Sequence, residues 1–169
     1  MTWLIDGYNV IRRDAELRDR ETTGLEAGRT ALLALVARVA RETSDDFVVV
    51  FDGARRVGTA PAGGRVQVMF SRPPETADDV LRRLAATHRE GGVVVTSDRA
   101  VLDSARRAGA VGVGGEAFLA AARRRVGAEQ IDEDEESDED EPQRRGGPHR
   151  RLSREARAAA RVLRRLAGR

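Results

Sequence analysis

Carboxylates close three apolar runs of the sequence. Asp6 follows "WLI", Asp52 follows "FVVVF", and Asp98 follows "VVVTS". If these runs are neighbouring parallel strands, their carboxyl ends open onto the crevice where α/β proteins bind ligands. Asp78 and Asp79 open a predicted helix whose amino end can face the same edge. Like charges gathered there repel, and a bound divalent cation makes the arrangement favourable.

The donors available for such a cation are oxygen atoms. The chain has no cysteine, and its two histidines, His88 and His149, fall in a predicted helix end and a predicted disordered tail, where we assign them structural roles. Carboxylate and water oxygens suit Mg²⁺ or Mn²⁺. A metal held in this way activates water and neutralises charge on a phosphodiester, so the residues indicate metal-assisted phosphodiester hydrolysis.

Each of these residues also has a structural interpretation. Asp98 is as well explained as a helix N-cap, Asp52 as a turn residue before Gly53, and Asp79 as a helix cap. Asn9 is either a turn residue or a group that orients a carboxylate or a metal-bound water. Asp6 is harder to explain structurally, because a charge at the end of a buried strand costs desolvation unless something pairs with it.

Alternating strands and helices must position these side chains. Apolar and alternating patterns predict strands at 3–6, 47–52, 65–70 and 93–96, with a short edge strand in "AVGVGG". Helical spacing predicts helices over 24–42, 76–87, 99–108 and 116–126, and Thr76 with Asp79 forms a capping-box pattern. This alternation is typical of an α/β fold with a parallel sheet.

The charge is segregated along the chain, although the net charge is only +2. Residues 129–141 contain ten acids and no base, whereas 142–169 contain ten arginines and one glutamate. We therefore predict a domain at 1–126, a disordered acidic and then Pro/Gly/Arg-rich linker at 127–151, and a basic amphipathic helix at 152–169. The acidic segment either competes with RNA for the basic segment, or serves as a solubilising linker that precedes a helix docked on the domain.

Composition excludes several classes of protein. Without cysteine there are no disulfides, thiolate nucleophiles or iron–sulfur clusters, and without lysine there is no phosphate-loop lysine, so we expect no nucleotide cofactor. No apolar run approaches the length of a membrane span, and the amino terminus lacks a signal-peptide pattern. We expect a cytoplasmic protein without a membrane partner.

Four segments, in this order and at these separations, resemble the YacP-like group of the NYN domain family, a branch of the PIN-like nucleases. They are "LIDGYNVI", "VVVFDG", "ETADDVLRRL" and "VVVTSDRAVLDSARRAGA". The resemblance covers about residues 1–126 and implies a three-layer sandwich, with helices on both faces of a central parallel sheet. It further implies a catalytic metal centre of Asp6, Asp78 and Asp98 with Asn9 beside it, and Asp52 and Asp79 as outer participants.

Members of the family cleave RNA with Mg²⁺ or Mn²⁺, and the bacterial group is linked to mRNA cleavage on translating ribosomes. The resemblance therefore implies an endoribonuclease whose partners are mRNA and the ribosome. Six arginines lie next to the proposed strand ends, where they either hold the RNA backbone or form an ordinary solvated surface. They are Arg12, Arg13, Arg55, Arg56, Arg72 and Arg99.

Two other functions remain open at this point. One is a non-catalytic RNA- or ribosome-binding module, in which the carboxylates only cap helices and form turns. The other is a different metal-dependent phosphoesterase that acts on DNA or a small phosphate. The sequence leaves the oligomeric state open.

Overall fold

The computed structural model describes residues 1–22, 24–53, 63–127 and 153–168. Five strands form one parallel sheet in the order β3-β2-β1-β4-β5. The strands are β1 (Thr2–Asp6), β2 (Asp46–Phe51), β3 (Val66–Phe70), β4 (Gly92–Val95) and β5 (Val111–Val113). Strand β1 is central, so the side chain that closes it lies in the middle of the carboxyl edge.

Seven α-helices are found in the described residues. They are α1 (Gly7–Arg13), α2 (Ala15–Thr22), α3 (Leu25–Glu42), α4 (Ala77–His88), α5 (Arg99–Arg107), α6 (Gly115–Gly127) and α7 (Arg154–Leu166). A single 3₁₀ turn, Arg89–Gly91, joins α4 to β4. None of the helices in the described segments is long and apolar enough to cross a membrane.

Each face of the sheet packs against its own helices. Alternate residues of β1 point to opposite sides: Trp3 and Ile5 join a core with α1, α2, α3, α6 and α7, whereas Leu4 joins a second core with α4 and α5. This alternation follows from the two-residue period of a strand. The three-layer α/β sandwich is therefore confirmed.

The predicted strands and the predicted helices over 24–42, 76–87, 99–108 and 116–126 are confirmed to within two residues at each end. Helices α1 and α2 were not predicted. Helix α1 begins with Gly7 and has Asn9 in its first turn, and both are weak helix formers; among the described side chains of α2, Leu17 is the one buried apolar group. Neither segment carries a clear apolar stripe, because α1 has only seven residues, of which Val10 and Ile11 are the buried aliphatic ones, and α2 buries Leu17.

The predicted carboxyl-terminal helix is confirmed as α7, and it packs on the domain. Val162 and Leu166 are buried in the same core as α3 and α6. Arg165 forms an ion pair with the buried carboxylate of Asp45. The predicted linker at 127–151, apart from Gly127, lies outside the described residues, as do Arg55, Arg56 and His149.

Candidate active site

Asp6 is the last residue of the central strand and the N-cap of α1. Its Oδ1 accepts a hydrogen bond from the Asn9 backbone N–H at 3.2 Å, and its Oδ2 accepts one from Thr96 Oγ1 at 3.0 Å. The residue is only 9% exposed. Asp6 therefore caps a helix, as N-cap aspartates do, and also carries a largely buried charge that two hydrogen bonds hold in place.

Asn9 connects this strand end to the next one. It lies in the first turn of α1, and its Oδ1 accepts a hydrogen bond from the Ser97 backbone N–H at 2.8 Å. Thr96 Oγ1 in turn accepts from the Asp98 backbone N–H at 3.2 Å. The interpretation of Asn9 as a simple turn residue is wrong, because the side chain fixes the β4–α5 loop beside Asp6.

Asp98 and Asp52 both hold backbone in place. Asp98 is the N-cap of α5 and accepts from the Val101 N–H at 3.0 Å. Asp52 accepts from Ser71 Oγ and from the Ala77 N–H, so it ties the end of β2 to the end of β3 and to the start of α4. The capping role predicted for Asp98 is confirmed. Asp52 bridges three elements, which is more than the local turn that Gly53 suggested.

The two adjacent acids of α4 differ in their partners. Asp79 forms a reciprocal capping box with Thr76, and Arg82 donates to it at 3.1 Å. Among the described residues Asp78 has no capping partner, and an Arg82 nitrogen lies 3.7 Å from its carboxylate. Asp79 is therefore occupied at the helix end, whereas Asp78 keeps its carboxylate oxygens available.

A cleft of about 670 Å³ opens at this edge of the sheet. It brings together six of the predicted site residues: Asp6, Asn9, Asp52, Asp78, Arg12 and Arg13. Asp98, Asp79, Arg72 and Arg99 do not line it. The cleft thus combines carboxylates from β1 and α4 with two arginines from α1.

The carboxylates at the cleft influence one another. Burial raises the pKa of Asp6 above its usual range, and the charges of Asp78 and Asp98 raise it further, against the two hydrogen bonds that lower it. Burial and the charge of Asp98 also raise the pKa of Asp78, and Arg82 offsets part of this effect. Asp98 therefore lies close enough to act electrostatically on both acids, although it does not line the cleft.

Two features of the site were missed by sequence reasoning. Thr96, which is fully buried, donates to Asp6, and the available signal was a hydroxyl directly after the "VVV" run. In the sequence, Arg29 falls at helical spacing with Leu32 and Val36 of the predicted 24–42 helix, which gives it no role in the site. It is 2% exposed, donates to the Tyr8 hydroxyl at 3.5 Å and lies over the Phe70 ring. A charged residue on the core face of an amphipathic helix was the signal for its special environment.

Tyr8 forms one wall of the cleft. Its ring meets Phe51 edge-on with centroids 5.1 Å apart, and the Arg12 guanidinium lies 5.6 Å from the ring centre. With Arg29 on its hydroxyl, the ring is held from three directions. Arg29 Nε and Nη2 have no hydrogen-bond partner among the described residues, so its charge is directed toward Tyr8 and the aromatic wall.

The donor set fits a hard divalent cation in its chemistry. Asp6 and Asp78 supply oxygen atoms from two elements and repel each other, which a cation would relieve. Within the segments that the structure describes, no three His, Asp or Glu side chains are gathered closely enough to hold a metal by themselves. Mg²⁺ commonly uses one or two carboxylates and completes its shell with waters and substrate phosphates.

A three-layer parallel α/β fold with acidic side chains at the carboxyl edge is the architecture of a PIN-like nuclease domain. Residues 3–165 match the YacP-like NYN domain, so the chain belongs to that family. Over 84 residues it is 32% identical to "Uncharacterized protein YacP" of Bacillus subtilis (strain 168). That alignment covers 48% of this chain and 49% of the relative, so the chain matches about half the length of this curated protein.

Solved structures show the same likeness. The crystal structure of Rae1 (YacP) from Bacillus subtilis matches with a TM-score of 0.65 and 26% identity, covering 77% of this chain and 79% of that chain. A mutant of Rae1 matches with a TM-score of 0.63 over 81% of this chain and 86% of that chain, and at 24% identity it shows the fold alone. The family model extends beyond the predicted domain at 1–126 and includes most of α7.

The raised pKa of Asp6 leads to a prediction about stability without metal. A carboxyl group with a raised pKa in the folded state stabilises the fold below its unfolded pKa of about 3.9, and this contribution is lost as the pH rises through the folded pKa. Asp6→Asn does not titrate. In EDTA, its free energy of unfolding relative to wild type should therefore increase from about pH 4 to pH 7. Urea titrations of both proteins across this range measure the difference, and a constant difference would contradict the prediction.

Proposed function

We propose that the protein is a metal-dependent endoribonuclease that hydrolyses RNA phosphodiesters, with mRNA on translating ribosomes as its substrate. The observation that carries the proposal is the cleft, in which Asp6 and Asp78 face the same space as Arg12 and Arg13. Carboxylates can hold Mg²⁺ or Mn²⁺, and arginines can hold the phosphate that the metal engages. The carboxylates and the arginines together indicate a phosphodiester substrate more strongly than either set does alone.

Asp6 and Asp78 would hold the ion, with Asp98 behind them contributing negative charge. The bound ion would lower the pKa of a coordinated water and would neutralise negative charge on the phosphate. The chain's own contribution is positional. Thr96 and the Asn9 backbone fix the two oxygens of Asp6, and the Asn9 side chain fixes the loop that carries Asp98. Such preorganisation reduces the reorganisation that the reaction would otherwise require.

Arg12 and Arg13 extend from the last turn of α1 into the cleft, where each can donate to phosphate oxygens. Tyr8 is the aromatic side chain that lines the cleft, so the described residues offer little for reading base sequence. The choice of a cleavage site within an RNA would then come from the ribosome that presents the RNA. This agrees with the ribosome-linked, cytoplasmic activity implied by the resemblance to the bacterial group.

The test compares three substrates with the purified protein: single-stranded RNA, single-stranded DNA and a generic phosphodiester, each with Mn²⁺, Mg²⁺ or EDTA. We expect internal cleavage of RNA that requires the metal. Cleavage of DNA alone would identify another phosphoesterase. The same mRNA is then supplied naked and on translating ribosomes, and cleavage confined to the ribosome sample would place the selectivity outside this chain.

A further inference from the structure

Helix α7 is fixed in its orientation by contacts along one side. Val162 and Leu166 are buried in the core, and Ser153 caps the helix by accepting from the Ala156 N–H. Arg165 pairs with Asp45, which also accepts from the amino terminus and from the Trp3 indole N–H. Because these contacts set the rotation of the helix, they also determine which side chains face outward.

Four arginines form the outward face, which we term the α7 arginine stripe: Arg154, Arg157, Arg161 and Arg164. All four are exposed, and their spacing of three, four and three residues places them on one side of the helix. The stripe is about 15 Å long at 1.5 Å per residue. It is a straight row of cations on a helix whose other side is anchored.

The stripe lacks the acidic partners that arginines have on other helices of this protein. Arg82 of α4 and Arg123 of α6 reach carboxylates at 3.1 Å and 2.6 Å. No arginine of the stripe forms an ion pair within the described segments. The one acid of α7, Glu155, has alanines three and four residues later, so the helix contains no internal pair from it. Like charges at these spacings repel, and a polyanion would relieve the repulsion.

The stripe is remote from the active-site cleft. Arg154 and Arg161 also line a groove of about 530 Å³ beside Gly109 and Gly112. This groove is bounded by the residues around the start of β5, whereas the cleft lies at the carboxyl ends of the strands. A ligand of the stripe can therefore be held while the cleft is free. Glu90 and Glu155 line the groove as well, so the purely cationic surface is the stripe itself.

We propose that the α7 arginine stripe docks the phosphate backbone of double-stranded RNA. Arginine forks match phosphate oxygens, and a row of cations fits the regular array of phosphates along a duplex. Proteins that hold single strands usually add aromatic stacking platforms, and α7 contains no aromatic residue. A-form duplexes are instead recognised through their shape and backbone. The stripe thus gives the protein a second RNA contact that positions it on structured RNA.

The test measures binding without cleavage, so it can fail independently of the proposed nuclease activity. The full chain carries Asp6→Asn, the buffer contains EDTA, and the probe is a fluorescent RNA duplex of about 20 base pairs. Affinity is determined by anisotropy between about 50 and 200 mM salt. Three proteins are compared: the parent, a variant with all four stripe arginines changed to glutamine, and a control in which glutamine replaces Arg18, Arg41, Arg83 and Arg107. The control loses the same charge from exposed positions on other helices.

We expect the stripe variant to lose about 10-fold or more in affinity, with a salt slope shallower by about 1 for each arginine that contacts a phosphate. The control should change far less. Equal losses in the two variants, or an unchanged slope, would overturn the proposal. A third outcome would also overturn the proposal. If the parent did not bind the duplex and a variant lacking 129–141 did, the stripe of the full chain would be occupied by the chain's own acidic segment.

Three further measurements test whether the stripe acts through its charge on a duplex backbone. Glutamine and arginine have similar helix propensities, so circular dichroism and thermal melting should show α7 intact in the stripe variant. Changing the same four arginines to lysine keeps the charges and should restore most of the affinity. A loss with lysine as large as with glutamine would count against a charge-based contact. A larger loss for single-stranded RNA than for the duplex would reject the duplex as the ligand.

Discussion

Asp6→Asn should reduce metal-dependent RNA cleavage by about 100-fold or more while the protein remains folded. Changing a residue that only supports the ligands of a metal site typically lowers metal affinity or activity about 10–100-fold. Changing a direct ligand should lower activity by more than that. The amide keeps the size of the side chain. Its oxygen can still accept from the Asn9 N–H, and its NH₂ can face Thr96 Oγ1, which rotates to accept. The loss would therefore come from the missing charge rather than from a displaced helix.

The neighbouring acids of α4 provide an internal comparison. Asp78→Asn should lose activity about as severely as Asp6→Asn, because Asp78 faces the cleft with its oxygens available. Asp79→Asn should lose less than about 10-fold, because Asp79 serves the capping box with Thr76. Asp103→Asn on α5, which removes an exposed acid paired with Arg106, is the matched control and should leave the rate unchanged.

Initial rates on a single-stranded RNA, measured with a Mn²⁺ titration, separate the possible outcomes. A variant that recovers activity at high Mn²⁺ has lost metal affinity, whereas one that does not has lost a group needed in the reaction. If Asp6→Asn and Asp78→Asn both retained full cleavage, neither carboxylate would be needed for the reaction. The proposed catalytic metal centre at the cleft would then be wrong.

The strand ends could be predicted from the sequence because burial leaves a simple pattern. A strand covered on both faces is a continuous apolar run, and an acid immediately after it marks the carboxyl edge of the sheet. Asp6 and Asp52 were located in this way, and Asp98 was located two polar residues after its run; the order of strands and helices was sufficient to infer the parallel sheet. What the pattern could not provide was the relative depth of the three acids. That depth depends on β1 being central and on the hydroxyl of Thr96 beside it.

Helix α1, which carries four of the cleft residues, was harder to predict than the helices that cover the sheet. Helix α1 brings Tyr8, Asn9, Arg12 and Arg13 to the cleft, yet it has only seven residues and begins with a glycine. Its amino end is fixed by the local Asp6 cap and by one tertiary contact, the hydrogen bond that the Ser97 N–H donates to Asn9 Oδ1. Local propensity does not record contacts between residues 88 positions apart. The same limit applies to Arg29: its helical spacing with the apolar residues of α3 indicates a position facing the core, but not its contacts with Tyr8 and Phe70.

Gly7→Ala should destabilise the protein by about 1–3 kcal/mol, the usual cost of adding a group to a packed core. A Cβ at Gly7 would overlap Phe51 Cε1 and lie 2.5 Å from Phe51 Cδ1, far inside van der Waals contact. Phe51 is fully buried and packs against the Tyr8 and Phe70 rings, so it has little room to move. In an exposed helix alanine would be favoured over glycine by about 1 kcal/mol, which makes a loss of stability specific to this clash.

Chemical denaturation of wild type, Gly7→Ala and Gly127→Ala measures the effect. Gly127 closes α6, and no atom of the described residues lies within 4 Å of the position that a Cβ would take there, so alanine should be neutral or mildly stabilising. Adding Phe51→Leu to Gly7→Ala should recover part of the loss, since a smaller side chain removes the overlap, and a double-mutant cycle would give the coupling. Additive effects of the two changes would show that Gly7 and Phe51 do not compete for the same space.

The same substitution should also lower activity, because the backbone at Gly7 supports both sides of the cleft. The residue follows Asp6 directly, and the next two residues are Tyr8, on the aromatic wall, and Asn9, which fixes the loop of Asp98. A shift of α1 away from Phe51 would move the side chains of Asp6, Tyr8 and Asn9 together. In "DGYN" the glycine is therefore required by the close approach of α1 to β2, and this approach brings the aromatic wall and the amide beside the acid that closes the central strand.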